Sequence, residues 1–250
     1  MVKDNLKISV VGAGVGGLAT AARLASKGYI VDVYEKLGHC GGRANVIEDQ
    51  GFRFDTGPSF VLMPDFFEEV FTYCGEQLTD YLDFRKLETS YRIFYSGGQK
   101  LNVFADAEKT KAELEKLEPG AAQAYDAYFN ELARMYKDVR PLLYKCFTPK
   151  QIIDPTYWKL LYKLKATQTY WQLAKKYFSR EEICYALTFQ SMFIGVSPFI
   201  APAFYSVITY ADHVQKVFHP MGGMHQIPLA LEKLGKKFGV QYHYNAEVQN

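Results

Sequence analysis

The feature that most limits what this chain can become is Val10-Val11-Gly12-Ala13-Gly14-Val15-Gly16-Gly17, a glycine-rich run between two unlike neighbours. Before it, Leu6-Lys7-Ile8-Ser9-Val10-Val11 is apolar-weighted and partly β-branched, which predicts a short buried strand. After it, Leu18 to Lys27 is rich in helix formers and closes at Gly28, a C-cap. Tyr29 to Glu35 then predicts a second strand ending in an acid. Strand, glycine turn, helix, strand, acid is the order of a mononucleotide-binding βαβ unit.

Each glycine has a physical task in such a unit. Gly12 permits the tight turn, Gly14 lets the backbone approach a pyrophosphate, and Gly17 allows the helix to pack closely on the strand. The helix N-terminus offers unpaired N–H groups and a positive dipole end to phosphates. Glu35, roughly 20 residues on, is placed to accept hydrogen bonds from an adenosine ribose. The motif alone does not separate nicotinamide from flavin. The next stretch does more, with Cys40-Gly41-Gly42-Arg43-Ala44 and then Gly51-Phe52-Arg53-Phe54-Asp55-Thr56-Gly57-Pro58. Here the chain resembles the GR2-type flavoproteins, in which Gly-Gly-Arg follows the ribose-binding acid and lies against the FAD pyrophosphate. Arginine suits that place because its planar fork holds phosphate oxygens bidentately. FAD is the expected cofactor.

Bulk properties narrow the remaining classes. A net charge of +2 argues against nucleic acid as the main partner. Cys40, Cys74, Cys146 and Cys184 lack C-x-x-C spacing, so neither a zinc site nor a disulfide framework is indicated, and a reducing compartment fits. His39, His213, His219, His225 and His243 make no i, i+3 or i, i+4 pair, and no metal site is expected. No signal peptide is read in Met1 to Lys7.

Beyond the nucleotide unit, Asp65 to Gly75 predicts an amphipathic helix, and Tyr91–Tyr95 with Lys100–Phe104 predicts a hairpin around Gly97-Gly98. Asp106–Leu117 and Ala121–Val139 predict helices stopped by Pro119-Gly120 and Pro141. From Val139 to Arg180 the only acid is Asp154, against nine Lys and Arg interleaved with Trp158, Tyr162, Tyr170, Trp171, Tyr177 and Phe178. That mixture suits a helix lying in an anionic membrane surface, or equally a solvated basic face backed by core aromatics. Ile183 to Ala211 carries no charge, but Gly195, Pro198 and Pro202 interrupt it, so a buried helix pair is expected, not a membrane span. Its functional version is the wall of an apolar pocket. Gln226–Phe238 predicts a helix and Val240–Val248 a strand that returns to the first sheet.

Phe189-Gln190-Ser191-Met192-Phe193-Ile194-Gly195, Ala201-Pro202-Ala203-Phe204-Tyr205 and Pro220-Met221-Gly222-Gly223-Met224 extend the likeness. With the earlier motifs, the sequence resembles the bacterial-type phytoene desaturases, the carotenoid desaturase branch of FAD-dependent amine-oxidase-like proteins. The resemblance implies an α/β fold, a Rossmann-like FAD-binding domain of 1–90 plus 218–250, interrupted by a largely helical α+β insertion of 91–217 that faces substrate and membrane. It places cofactor contacts on Gly12, Ala13, Gly14, Val15, Gly16, Gly17, Glu35, Lys36, Gly41, Gly42, Arg43, Gly57, Pro58, Ser59 and, through its backbone, Val248. Catalytic residues are not assigned. The implied activity is removal of two vicinal hydrogens from a long isoprenoid polyene, with a hydride passing to the flavin and electrons leaving to a quinone or oxygen. A cytoplasmic protein peripherally bound to a membrane lipid surface follows from the same resemblance. Members of that family run to about twice this length and divide into further structural units, so the chain is expected to be part of a longer protein. A carotene ketolase, a carotenoid isomerase, an amine oxidase and a non-catalytic flavin-binding or membrane module remain alternatives.

Overall fold

The computed structural model describes residues 6–146, 148 and 155–249. Lys150 and Asp154 of the basic tract lie outside them. The chain divides into two compact units: one takes the described residues up to Lys86 and from Phe218 on, the other is Leu87–Val217.

The first unit opens with strand β1 (Lys7–Val11), helix α1 (Val15–Ala25) and strand β2 (Ile30–Tyr34). The strands pair in parallel from Lys7 opposite Ile30 to Val11 opposite Tyr34. A parallel pair needs a crossover connection, and α1 supplies it. Leu18, Ala21, Ala22 and Ala25 form its buried stripe, at the spacing that puts them on one helical face. Next comes a hairpin that the sequence analysis leaves unassigned, β3 (Asn45–Asp49) with β4 (Phe52–Thr56). Its two-residue turn is Gln50-Gly51, both at positive φ, the conformation that matches the twist of the strands. Helix α2 (Pro64–Tyr73) starts on a proline, where the missing N–H costs nothing, and β5 (Phe84–Lys86) follows.

The second unit begins with the expected hairpin, β6 (Thr89–Phe94) and β7 (Lys100–Phe104). Asp106 caps α3 (Ala107–Leu117) by accepting from the N–H groups of Glu108 and Lys109. Helix α4 (Ala121–Val139) buries Tyr125, Tyr128, Phe129, Leu132 and Met135. Around it pack α5 (Pro155–Lys163), α6 (Tyr170–Lys175), α7 (Glu181–Thr188) and α8 (Val207–Tyr210), the last running into a π-helical turn over Ala211–Gln215. Leu101, Leu114, Leu132, Leu173, Phe178, Ile183 and Leu187 form the heart of this unit's core.

Two expectations change here. The basic tract is not one amphipathic helix but separate pieces, and several of its lysines serve the protein itself. Lys163 bonds to Asp138 of α4, and Lys165 and Lys176 both reach Glu131 of the same helix. The uncharged tract is not a wholly buried helix pair either. After α7 it tightens into a 3-10 stretch, Phe189–Ile194, and then exposes Met192 (71%) and Ile200 (72%), because Gly195 and two prolines leave no helical face to bury.

The chain re-enters the first unit through β8 (Phe218–Pro220), antiparallel to β5, then α9 (Gln226–Lys237) and β9 (Gln241–His243), parallel to β2. The sheet order is β1-β2-β9. Helices α1 and α9 pack together over the sheet face that carries Val31 and Val33, with Ile227, Leu231 and Leu234 completing this core. Gly235 is small because the Tyr242 hydroxyl occupies the space a Cβ would need, 2.2 Å away.

On the other face Asp32, nearly buried, takes Lys7 at 2.9 Å and His243 at 2.6 Å. The expected burial of β1 therefore fails: its residues alternate and Val11 is 68% exposed, since the helices cover only one face of the sheet. The last strand is also shorter than Val240–Val248. It stops at His243 because Asn245 takes a left-handed backbone (φ 53), which no ladder accommodates.

Candidate functional site

The glycine turn, the end of β2 and the loop before β3 come together in the first unit. Gly12 adopts φ +96, a value that favours glycine, and its N–H donates to the carbonyl of Tyr34. A Cβ on Gly17 would lie 2.0 Å from the Gly12 carbonyl oxygen, so α1 reaches this depth only as glycine. Gly14 caps α1 with no side chain, and no acid stands in the first turn. The N–H groups of that turn, beside Val15, Gly16 and Gly17, keep their positive end open toward an anion.

The loop Gly41–Ala44 lies against this turn. Gly41 donates its N–H to the carbonyl of Ala13 at 2.9 Å, and Gly14 and Gly41 form a parallel bridge. A Cβ on Gly42 would sit 3.1 Å from the Gly14 Cα, and one on Gly57 only 2.1 Å from the Arg43 carbonyl oxygen. Four glycines from three segments thus bring bare backbone together beside a helix N-terminus. Arg43 projects into solvent next to it, with no ion pair among the described residues. Glu35 is buried at the end of β2. One carboxylate oxygen accepts from the N–H of Ala13 at 2.7 Å and the other from Leu37 at 2.9 Å. Each oxygen retains a second lone pair for a hydroxyl donor. These observations fit a ligand with a ribose and a diphosphate.

The other expected residues are less closely tied to the turn. Lys36 is exposed beside Glu35. Pro58 and Ser59 are exposed after β4, and the Ser59 carbonyl accepts from the His219 ring. Val248 lies past the end of β9, 53% exposed, two residues beyond Ala246, whose N–H donates to the Glu35 carbonyl. Cys40 is buried in the same loop, and burial pushes its thiol up to about 11, so it stays protonated and is no nucleophile. Two residues have no role assigned from sequence: His225, whose Nδ1–H donates to the Ala44 carbonyl at 3.0 Å and holds the loop from behind, and Asp55, which accepts from the N–H of Met224 at 2.8 Å and pins the turn beside it. Neither position has a spacing signal, because both contacts join residues far apart in the chain.

The second unit holds a buried polar network. The His213 ring lies between two tyrosine hydroxyls, Tyr91 at 2.8 Å on Nε2 and Tyr125 at 3.0 Å on Nδ1. Gln190 donates to Asp212 at 2.9 Å and to Tyr91 at 3.1 Å. Burial pushes Asp212 up to about 6 and His213 down to about 3, because both lose water around their charged forms. Among the described residues no group of His, Cys, Asp and Glu is arranged to hold a metal ion.

The bare glycine backbone, the buried acid at the end of β2 and the Gly-Gly-Arg loop belong to an α/β fold of the FAD-binding, GR2 type. The family model described as flavin containing amine oxidoreductase matches residues 15–250, and the chain belongs to that family. Its cofactor is FAD. Among curated proteins the chain is 35% identical over 245 residues to a zeta-carotene-forming phytoene desaturase of Myxococcus xanthus, covering 97% of this chain and 47% of that one. It is 35% identical over 246 residues to a 4,4'-diapophytoene desaturase (4,4'-diaponeurosporene-forming) of Staphylococcus aureus strain Newman, covering 98% and 49%. The chain therefore spans about half the length of these relatives. Solved structures with the same fold include the PF1083 protein of Pyrococcus furiosus, with a TM-score of 0.62 at 18% identity over 96% of this chain and 51% of that one. Putrescine oxidase bound to putrescine follows, with a TM-score of 0.56 at 18% identity over the same shares.

Proposed function

We propose that the protein carrying this chain is an FAD-dependent desaturase of a long isoprenoid polyene, a phytoene or a diapophytoene-like carotenoid precursor. The observation that carries the substrate class is the identity shared, across nearly the whole chain, with desaturases named for those two precursors. In this reading the first unit is the nucleotide domain and Leu87–Val217 the substrate domain. Gly12 to Gly17, Gly41, Gly42 and Arg43 take the diphosphate, Glu35 takes the ribose hydroxyls, and Lys36, Gly57, Pro58, Ser59 and the Val248 backbone complete the contacts.

Bound FAD supplies two-electron oxidation of a CH–CH bond. The chain's own part is binding and exclusion. The α1 N-terminus and Arg43 neutralise the diphosphate, and Glu35 orients the nucleoside. A polyene carries no hydrogen-bonding groups, so only its hydrocarbon body can be recognised. Electrons leave to a quinone or oxygen.

Peripheral membrane binding from the cytoplasm belongs to the same proposal. No described helix is long and apolar enough to cross a membrane. Exposed Met192, Phe199 and Ile200 supply an apolar contact, and such a substrate is reached from lipid. Co-sedimentation with anionic liposomes should fall when these three become serine; binding indifferent to that change overturns the membrane assignment.

The experiment for the activity uses the full-length protein in cells that accumulate phytoene or diapophytoene, with pigments extracted and read by absorbance. Longer-conjugated, coloured products support the desaturase. Colourless extracts from a flavin-loaded protein overturn the substrate class and leave a related flavin oxidoreductase.

A further inference from the structure

The loop Gly41–Ala44 is tied to the glycine turn at its start, where the Gly41 N–H donates to the Ala13 carbonyl at 2.9 Å, and closes on itself through the Ala44 N–H and the Gly41 carbonyl at 3.0 Å. It contains two glycines at positive φ (129 and 58), which gives it great freedom before folding, and Arg43 points into solvent. Its Ala44 end is held from the other end of the unit. A Cβ on Gly41 would lie 2.8 Å from the Ala44 carbonyl oxygen and 2.9 Å from the His225 ring, whose Nδ1–H donates to the Ala44 carbonyl at 3.0 Å. His225 is itself only 7% exposed, and the His39 ring meets it edge-on at 6.3 Å. The turn that presents His225 is pinned in its own right. Asp55 accepts from the Met224 N–H at 2.8 Å, and a Cβ on Gly223 would lie 2.6 Å from that carboxylate.

We propose that His225 is the positioning residue of the Gly-Gly-Arg loop, so that FAD affinity depends on the α9 N-terminal turn gripping Ala44 from behind. The inference rests on the FAD reading of the site. His225 does not touch the cofactor; it acts by holding Gly41 and Gly42 against the glycine turn, where Gly42 is within 3.1 Å of Gly14 when given a Cβ. Losing the Nδ1 donor leaves the Ala44 carbonyl without its partner and loosens the Ala44 end of the loop, while the Gly41 end stays tied to Ala13. Linkage makes the effect reciprocal: bound FAD must stabilise the Gly222–His225 turn by as much as that turn strengthens FAD binding.

The test measures FAD dissociation constants by flavin fluorescence in the full-length protein, as wild type, His225→Ala and His225→Asn. Asparagine places an N–H close to the site of the histidine Nδ1. His225→Ala should weaken FAD roughly tenfold or more, with the thermal midpoint of the FAD-free protein little changed, and His225→Asn should recover most of that loss. Unchanged affinity in His225→Ala overturns the proposal, and so does equal weakening in both variants, since a mere packing defect would not distinguish them. If His225→Ala fails to fold, amide exchange of the wild type decides. FAD should slow exchange at 222–228, and no slowing there overturns the proposal. Wild-type protein with no FAD affinity instead overturns the cofactor reading itself.

Discussion

Glu35 and Gly14 show how far single residues can be understood before any coordinates. An acid at the end of a second strand and a glycine at the head of a helix have one shared use, and the structure brings both to the same turn. Gly14→Val should therefore abolish FAD retention through desalting while leaving the far-ultraviolet spectrum intact; full retention would refute the diphosphate assignment. The grip of Asp55 and His225 was not legible, because a contact spanning most of the chain leaves no local pattern. Asp212 and His213 were likewise hidden, and they carry a pH signature. The native carboxyl, raised to about 6 from 3.8, keeps a proton that the unfolded chain has lost, so its stabilising effect declines as pH rises between those values. The native imidazole, lowered to about 3 from 6.5, lacks a proton that the unfolded chain binds, so its effect on stability grows as pH rises across that range. The two slopes oppose between 3.8 and about 6. Asp212→Asn should unmask a rise of about 1.4 kcal/mol per pH unit there, read from urea unfolding at a series of pH values. Parallel curves for variant and wild type would refute the pairing.

Among the elements, those with strong periodicity and punctuation emerged closely as expected: α3 behind its Asp106 cap, α4 between Gly120 and Pro141, and the β6–β7 hairpin. The failures share a cause in tertiary context. β1 has the composition of a buried strand, yet only one face of its sheet is covered. The β3–β4 hairpin has no clear apolar alternation because Arg53, Asp55, Glu48 and Asp49 dilute it, and Phe52 and Phe54 stay exposed. β9 ends early at a single left-handed asparagine. Contact between α1 and the first turn gives the sharpest test at this scale. Gly17→Ala puts a methyl 2.0 Å from the Gly12 carbonyl oxygen and should cost about 1–3 kcal/mol in denaturant unfolding. Gly16→Ala meets nothing within 4 Å and should be neutral or stabilising by about 0.5–1 kcal/mol. Equal effects at the two positions would deny the close approach.

For the molecule as a whole, the two units own separate cores, one around Leu18, Val33 and Leu231, the other around Tyr128, Leu132 and Ile183. Such cores should melt as two transitions. Leu231→Ala should lower one and Leu132→Ala the other, each by about 2–5 kcal/mol, and FAD should raise only the first. Calorimetry showing one transition moved by either substitution would refute this. The aromatic helices of Leu87–Val217 differ in composition from the glycine turns before them, whereas the packing inside each unit leaves no such mark in the sequence.

The order in which this protein is made matters as much as its final form. β2 pairs with β9, and the Gly-Gly-Arg loop is gripped from α9, so the first unit cannot close when its opening βαβ segment leaves the ribosome. All of Leu87–Val217 is synthesised in between, a delay of roughly seven to twenty-six seconds. During that interval the β2 edge is unpaired while the second unit, whose segments are contiguous, is free to fold. An early stop before Phe218 leaves the β2 edge open and ready to pair with another chain.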